Sequence, residues 1–186
     1  MKILETNRLI LRDLSLDDLE AFNAYAKKQN IGPMAGWLPH QSIEESHLIL
    51  RMMIDDQDVW GITLRGSDRL IGTIGLHVRN FDNALKNQKE IGYVLDEPYW
   101  GQGLMQEAVC AVLDYAFMDE SLDRVLCGHS LMNAQSKRVI EKVNFQFCYK
   151  EMREDHLKNP IEISVYQMRR DDYLRRMEHE PVKTKI

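Results

Sequence analysis

The sequence predicts a mixed α/β (α+β) fold, in which a single mixed, mostly antiparallel central sheet is flanked by helices. Helix-like and strand-like segments alternate along the chain, which is typical of one sheet covered by helices. Two early strand-like runs are joined by the short turn Gly66-Ser67-Asp68, which indicates antiparallel pairing. The 186 residues show no internal repeat and no linker, and this length suits one domain with its own core.

The strand predictions come from apolar and β-branched runs bounded by turn residues. These runs cover residues 7–13, 60–64, 70–79, 90–95, 124–130, 145–149 and 161–169. The segment 31–39 is rich in glycine and proline, and 80–89 is polar, so both are predicted connections. The first five residues lead directly into a strand and lack the pattern of a signal peptide.

Two helices are predicted from N-cap patterns. Ser15 has Asp18 in the turn that follows it, and Ser42 has Glu45 three residues later, in the arrangement of a capping box. These helices are expected to cover about residues 15–28 and 42–55.

A third predicted helix carries the clearest apolar stripe. Leu104, Ala108, Val112 and Ala116 recur every four residues and therefore share one helix face. A fourth helix is predicted over residues 134–143, directly after another strand-like run.

Composition limits the class of protein. A hydrophobic content of 44% and a charged content of 28% are typical of a folded, soluble domain. The net charge of −5 argues against a nucleic-acid-binding protein and is compatible with a cationic amine substrate. No apolar run reaches the length of a membrane span. The tail 178–186 is predicted to be disordered, which leaves 1–177 as the domain.

The cysteines and histidines predict neither disulfides nor a metal site. Cys110, Cys127 and Cys148 are odd in number and widely spaced, so we expect reduced thiols in a cytoplasmic protein. For Cys110 and Cys148 a packing role is expected. The six histidines show no ligand spacing, and no metal is predicted.

Two glycines separate a predicted strand from the start of the third helix. Gly101 and Gly103 would let the backbone approach a diphosphate closely, and the first amides of the helix have no internal partner. In isolation, a Gly-x-Gly pair is more often only a tight turn. The P-loop pattern is missing, and Gln106 stands where the third glycine of a dinucleotide-binding motif would lie.

Together with a second segment, Asn133 to Phe145, this turn resembles the GNAT superfamily of acyl-CoA N-acyltransferases. The match is best with the RimJ/RimL-type branch, whose members acetylate the N-termini of ribosomal proteins. The runs Thr6–Arg12, Leu70–Leu76 and Glu90–Tyr93 resemble strands of that branch, in the same order. The resemblance spans roughly residues 3–170 and implies the GNAT fold with acetyl-CoA as co-substrate.

The resemblance also implies a set of acetyl-CoA-binding residues. The backbone of the glycine turn would hold the pyrophosphate, and the end of the preceding strand would bind the pantetheine arm. That strand splays from its neighbour in this superfamily, and the cofactor enters the gap. The residues are Val94, Leu95, Trp100, Gly101, Gln102, Gly103, Leu104, Met105, Asn133 and Ser136. Asn133, directly before a helix, is also a typical N-cap.

Acetyl transfer to an amine needs an acid for the thiolate and a base for the amine. The branch implies that Ser136 is the general acid, and Ile140 occupies the place where many other GNAT enzymes carry a tyrosine. The base candidates are Asp155, then Glu90, with Glu154 as the third. Each of these carboxylates, taken alone, is more often a solvated surface group.

The expected acceptor surface consists of residues 34–38, Trp60 and His77. Trp37 is either a substrate lid or a residue packed against the sheet. The acceptor predicted from the branch is a protein N-terminal α-amine. A small-molecule amine, such as a polyamine, an antibiotic or a metabolite, is the first alternative, and a non-catalytic acyl-CoA-binding module is the second. Self-association is expected from the branch alone.

Overall fold

A computed structural model of the chain describes residues 1–78, 87–155 and 157–179. These residues form one sheet of eight strands in the order β1-β2-β3-β4-β5-β6-β8-β7. The strands are β1 Leu4–Glu5, β2 Leu9–Asp13, β3 Val59–Leu64, β4 Leu70–Val78, β5 Gln88–Leu95, β6 Arg124–Ser130, β7 Gln146–Glu154 and β8 Pro160–Arg169. Neighbouring strands are antiparallel except β5 and β6, which are parallel. The predicted mixed, mostly antiparallel sheet is confirmed.

Six α-helices cover the two faces of this sheet in the described residues. They are α1 Leu19–Ala26, α2 Gly32–Ala35, α3 Ile43–Asp56, α4 Leu104–Asp114, α5 Ala134–Lys142 and α6 Arg170–His179. One face packs against α4, whose predicted stripe at Leu104, Ala108 and Val112 is fully buried. The other face packs against α1 and α3 around Phe22 and Leu50. The central strands therefore pack against α4 on one face and against α1 and α3 on the other.

Both predicted N-caps are present. The Ser15 backbone N–H donates to the Asp18 carboxylate at 2.9 Å, and a 3₁₀ turn over residues 16–18 precedes α1. Ser42 Oγ accepts from the Glu45 N–H at 3.2 Å, although the Glu45 carboxylate reaches the Gln41 N–H instead of that of Ser42. Local sequence thus fixed both helix starts.

The structure corrects three of the predicted segments and adds one helix. The connection 31–39 contains the one-turn helix α2, which ends at Gly36 with φ +89°. Strand β7 extends to Glu154, five residues beyond the predicted end, because it pairs with β8 along its length. The helix α6 was missed, and it includes Glu178 and His179, which were assigned to the tail. Most of the polar connection and the rest of the tail lie outside the described residues.

Trp60 is a core residue, so its assignment to the acceptor surface is wrong. Its side chain is 1% exposed, its ring packs edge-on against Tyr115, and its indole N–H donates to the Lys2 carbonyl at 2.9 Å. Position 60 faces α4 because strand residues alternate between faces.

The cysteines have three different environments. Cys127 is buried on β6, where burial raises the pKa of its thiol to about 12. Cys148 is half-buried, whereas Cys110 is exposed on α4, so the packing role expected for Cys110 is wrong.

In the described part of the chain, no helix is long and apolar enough to cross a membrane.

Asp155 organises the turn between β7 and β8. Its carboxylate accepts from the backbone N–H groups of Leu157 and Asn159, both at 2.8 Å, and from the Asn159 side chain at 3.3 Å. Its own N–H donates to the Asn159 carbonyl at 2.9 Å. The carboxylate therefore satisfies backbone donors that the turn would otherwise leave to water.

We predict that Asp155→Ala lowers the free energy of unfolding by roughly 1–2 kcal/mol, because two hydrogen bonds to a charged acceptor are lost. Asp155→Asn is the matched control, since both N–H groups donate to the same carboxylate oxygen, Oδ1, and an amide oxygen in its place can still accept from them. Chemical denaturation of the three proteins measures the effect. An alanine variant as stable as the wild type would show that the turn does not depend on this carboxylate.

Candidate active site

The sheet opens between β5 and β6. The two strands pair only from Gln88 to Ile91 and from Arg124 to Cys127. Beyond this point β5 continues to Leu95 against β4, and β6 continues to Ser130 against β8. Backbone groups in the centre of a sheet normally pair with both neighbours, so this gap exposes polar backbone to whatever enters it.

The glycine turn lies at one end of the gap and begins α4. Gly101 and Gly103 have φ values of +75° and +74°, a region that side chains disfavour. The first helical hydrogen bond runs from the Glu107 N–H to the Gly103 carbonyl at 3.1 Å. The preceding amides of the helix therefore have no acceptor within it and, with the helix dipole, favour an anion.

Arg8 and Glu107 hold this turn from behind. The Arg8 guanidinium donates to the Gln102 carbonyl at 2.9 Å and to the Glu107 carboxylate at 2.7 Å. Glu107 also accepts from the Thr6 hydroxyl at 2.5 Å. Burial opposes ionisation of Glu107, but these hydrogen bonds outweigh it and lower the pKa of its carboxyl. The segment directly before β2 thus fixes the loop on α4 through a charged contact that was not predicted from the sequence.

The start of α5 forms the opposite wall. Asn133 Oδ1 accepts from the Ser136 N–H at 3.0 Å, which confirms the N-cap. Its Nδ2 donates to the Met34 carbonyl at 2.9 Å, so the same side chain also ties α2 to α5.

Ser136 is buried against β5. Its hydroxyl lies 3.0 Å from that of Tyr93, which also donates to the Ser136 carbonyl at 3.3 Å. Burial raises the pKa of Tyr93 well above its ordinary value, so the phenol stays neutral. The Cys127 thiol lies 4.0 Å from the hydroxyl oxygen of Tyr93. The Ser136 hydroxyl is therefore held in place by a neutral partner.

These elements enclose a groove of about 850 Å³. Nine of the ten residues expected to bind the cofactor line it, namely Val94, Leu95, Trp100, Gly101, Gly103, Leu104, Met105, Asn133 and Ser136. Gln102 does not, since its side chain turns back to the Pro98 carbonyl at 3.0 Å. The Leu95 carbonyl accepts from the Trp100 indole at 2.6 Å and is thus already bonded within the protein.

Two cations of the groove were missed from the sequence. Arg138 and Lys142 lie one turn apart on α5, are exposed, and line the groove. Residues four apart share a helix face, so their spacing after the Asn133 cap was a usable signal.

The three candidate base carboxylates are separated in the structure. Glu90 forms an ion pair with Arg153 at 2.9 Å and lies on the face of the sheet away from α4. Glu154 is exposed at the end of β7, paired with Pro160, and strand alternation directs it to the opposite side from Arg153. Asp155 lies in the turn described above. None of the three lines the groove.

The residues expected at the acceptor surface lie in different parts of the structure. Met34 and Ala35 line the groove. Trp37 is half-buried and packs beside His40, as in the second of its two interpretations. His77 lies on the same face of the sheet as Glu90, its register partner on β5. Its Nδ1 lies 2.6 Å from an Asp58 carboxylate oxygen.

In the described residues, no three histidine, cysteine or acidic side chains are grouped to bind a metal ion.

Comparison with known proteins gives consistent matches. The family profile described as "Acetyltransferase (GNAT) domain" matches residues 8–146. The Bacillus subtilis protein named "Uncharacterized N-acetyltransferase YoaA" is 32% identical over 150 residues, which are 77% of this chain and 82% of that protein.

Two solved structures share the fold. A GNAT-family acetyltransferase from Bacillus anthracis superposes with a TM-score of 0.82 at 22% identity, over 91% of this chain and 99% of that one. A Vibrio cholerae protein, provisionally named a ribosomal-protein-serine acetyltransferase, gives 0.74 at 18% identity, over 90% and 97% of the two chains.

The open strand pair, the glycine turn and the match over three quarters of the sequence lead to one conclusion: the chain belongs to the GNAT family of acetyl-CoA-dependent N-acetyltransferases.

Proposed function

We propose that this enzyme transfers the acetyl group of acetyl-CoA to the α-amino group of a protein N-terminus. The observation that carries the proposal is the gap between β5 and β6. On its α4 side lies the Ser136 hydroxyl, and on its other side lies the Glu90 carboxylate. An acyl donor in this gap would have an acid on one face and an anionic group for a cationic amine on the other.

The groove fits coenzyme A in shape and charge. Its volume is within the range of small-molecule sites. The free amides at the start of α4 suit a pyrophosphate, and Arg138 and Lys142 add positive charge along α5. Unpaired backbone beyond Ile91 would offer hydrogen bonds to the amides of the pantetheine arm.

Ser136 is proposed to protonate the departing thiolate. Its hydroxyl faces the groove, and its second contact, Tyr93, is a neutral hydroxyl that can pass on or orient a proton. The place of the tyrosine used by many other GNAT enzymes holds Ile140, which is buried.

Glu90 is the carboxylate proposed to act at the amine. It lies beside the gap, and its neighbours on the same strand face are Gly92 and Val94. Arg153 bonds both Glu90, at 2.9 Å, and Glu151, at 2.5 Å, so the two carboxylates of this cluster outnumber its one guanidinium. Glu154 and Asp155 lie further along the β7–β8 hairpin and do not line the groove.

The choice of a protein N-terminus rests on the RimJ/RimL resemblance and on the Vibrio relative. An acceptor panel tests it. Short peptides with free N-termini, polyamines and aminoglycosides are each incubated with acetyl-CoA, and released thiol and product mass are measured. We expect acetylated peptides. Acetylation of polyamines or aminoglycosides alone would make the protein a small-molecule acetyltransferase, and thiol release with none of them would favour an acyl-CoA-binding module.

We predict that Gly103→Val weakens acetyl-CoA binding at least tenfold, because a branched side chain cannot adopt φ +74° without strain and would stand over the anion site. Gly66→Val is the matched control, since Gly66 has φ +80° and open space around it but lies in the β3–β4 turn. Calorimetric titration and thermal melting are done on both. Equal loss of stability with normal binding in both variants would contradict the pyrophosphate assignment.

We predict that Ser136→Ala lowers kcat by about 10²-fold with little change in the KM for acetyl-CoA, because a proton donor acts in the transition state. Tyr93→Phe is the control: it removes the same hydrogen bond but keeps the serine hydroxyl, and its loss of kcat should be smaller. If Ser136→Ala changes only the KM, the residue is a binding contact and not an acid.

A further inference from the structure

We propose that His77, held by Asp58, takes the proton from the acceptor amine. The inference rests on the proposed acetyl transfer and names the atom that accepts the proton, His77 Nε2. From the sequence, His77 is predicted only as an acceptor-surface residue, and the predicted base is a carboxylate.

Asp58 fixes one side of the imidazole. The distance from His77 Nδ1 to Asp58 Oδ2 is 2.6 Å. Since an ionised carboxylate only accepts hydrogen bonds, Nδ1 must carry the proton, and Nε2 of the neutral ring keeps a free lone pair. The backbone supports this arrangement, because the Leu76 N–H donates to the Asp58 carbonyl at 2.9 Å.

Gly75 provides the space beneath the ring. A Cβ atom at position 75 would lie 2.3 Å from His77 Nε2 and 2.5 Å from Cε1, so only glycine lets the imidazole lie along β4. Glycine weakens the interior of a strand. Its presence in the fully buried part of β4 is explained by the ring that covers it.

The ring then reaches over the strand that borders the gap. The position of a Cβ at Gly92, the register partner of Gly75, is 3.7 Å from His77 Nε2. Gly92 is the first residue of β5 beyond its pairing with β6. The free lone pair of Nε2 is therefore at the edge of the opening, on the face opposite Ser136.

Two acidic side chains of the described residues lie next to His77. Asp58, before β3, is at 2.6 Å from the ring, and Glu90 is its register partner on β5. On β7, Arg153 forms ion pairs with both Glu90 and Glu151. This setting attracts an ammonium group, and the 45% exposure of the His77 side chain leaves a path for protons to water.

The transfer balances as follows. The ammonium group gives one proton to Nε2, and the nitrogen lone pair attacks the thioester carbon. The C–S bond breaks, sulfur leaves with the electron pair, and it takes a proton from the Ser136 hydroxyl. The nitrogen loses its second proton as the amide forms, and this proton replaces the one taken from Ser136. His77 passes its proton to water.

The tautomer is tested first, on the protein without any substrate. NMR of protein labelled with ¹⁵N-histidine distinguishes the protonated from the unprotonated ring nitrogen, and His77→Gln identifies the signals. We expect a neutral ring with the proton on Nδ1 in the wild type, and a loss of this preference in Asp58→Asn. A neutral ring protonated on Nε2 in the wild type would overturn the proposal.

Catalysis is tested by kcat against pH with two acceptor amines of different basicity. We expect an acid limb at the same pH for both amines, since it belongs to the enzyme. His77→Gln should remove this limb and lower kcat by about 10²-fold. Asp58→Asn and Gly75→Ala, which disturb the ring without removing it, should lower kcat less. His47→Gln on α3 is the matched control and should leave the profile unchanged.

Glu90→Gln separates this proposal from the carboxylate alternative. We expect it to raise the KM for the amine while the acid limb stays. If Glu90→Gln removes the limb and His77→Gln keeps it, the carboxylate is the base, and the proposed acetyl transfer stands without the histidine. If none of the variants transfers acetyl and the wild type does not either, the proposed function itself fails. Thermal melting confirms that each variant is folded.

Discussion

The rest of the structure depends on the interruption of backbone pairing between β5 and β6. Both strands continue past Ile91 and Cys127, but each pairs only with its outer neighbour. Central strands rarely leave backbone groups without partners, because unpaired buried amides and carbonyls cost free energy. A ligand that supplies amide groups of its own, such as the pantetheine arm that we propose to enter here, would offset that cost.

The elements around the gap hold it open by contacts between segments distant in sequence. Arg8, directly before β2, fixes the glycine turn through the Gln102 carbonyl and Glu107, and Asn133 joins the start of α5 to Met34 on α2. These polar contacts connect the rim of the groove to both layers of helices. The amides at the start of α4, which we propose to bind the pyrophosphate, therefore sit on a supported scaffold that needs little reorganisation when a charged ligand binds.

The two faces of the gap differ in their electrostatics. On the α4 side, the buried Ser136 and the partly buried Tyr93 present hydroxyls, and the surroundings of the phenol keep it protonated. On the other side, Asp58, His77 and Glu90 are partly open to water, and the two carboxylates supply negative charge. This difference between the faces suits acyl transfer, because a cationic amine arrives at one side of the acyl carbon and a thiolate departs from another.

The sequence by itself determined the local features: the mixed sheet, the caps at Ser15, Ser42 and Asn133, and the glycine turn before the apolar stripe of α4. These follow from turn chemistry and periodicity, which act over a few residues. Only the tertiary structure decided which side of a strand each side chain faces and what it meets there. It buried Trp60 in the core, directed Asp155 into a turn, and brought His77 to Asp58 across 19 residues of chain. Such contacts depend on strand register, and a single sequence does not encode register in any short pattern.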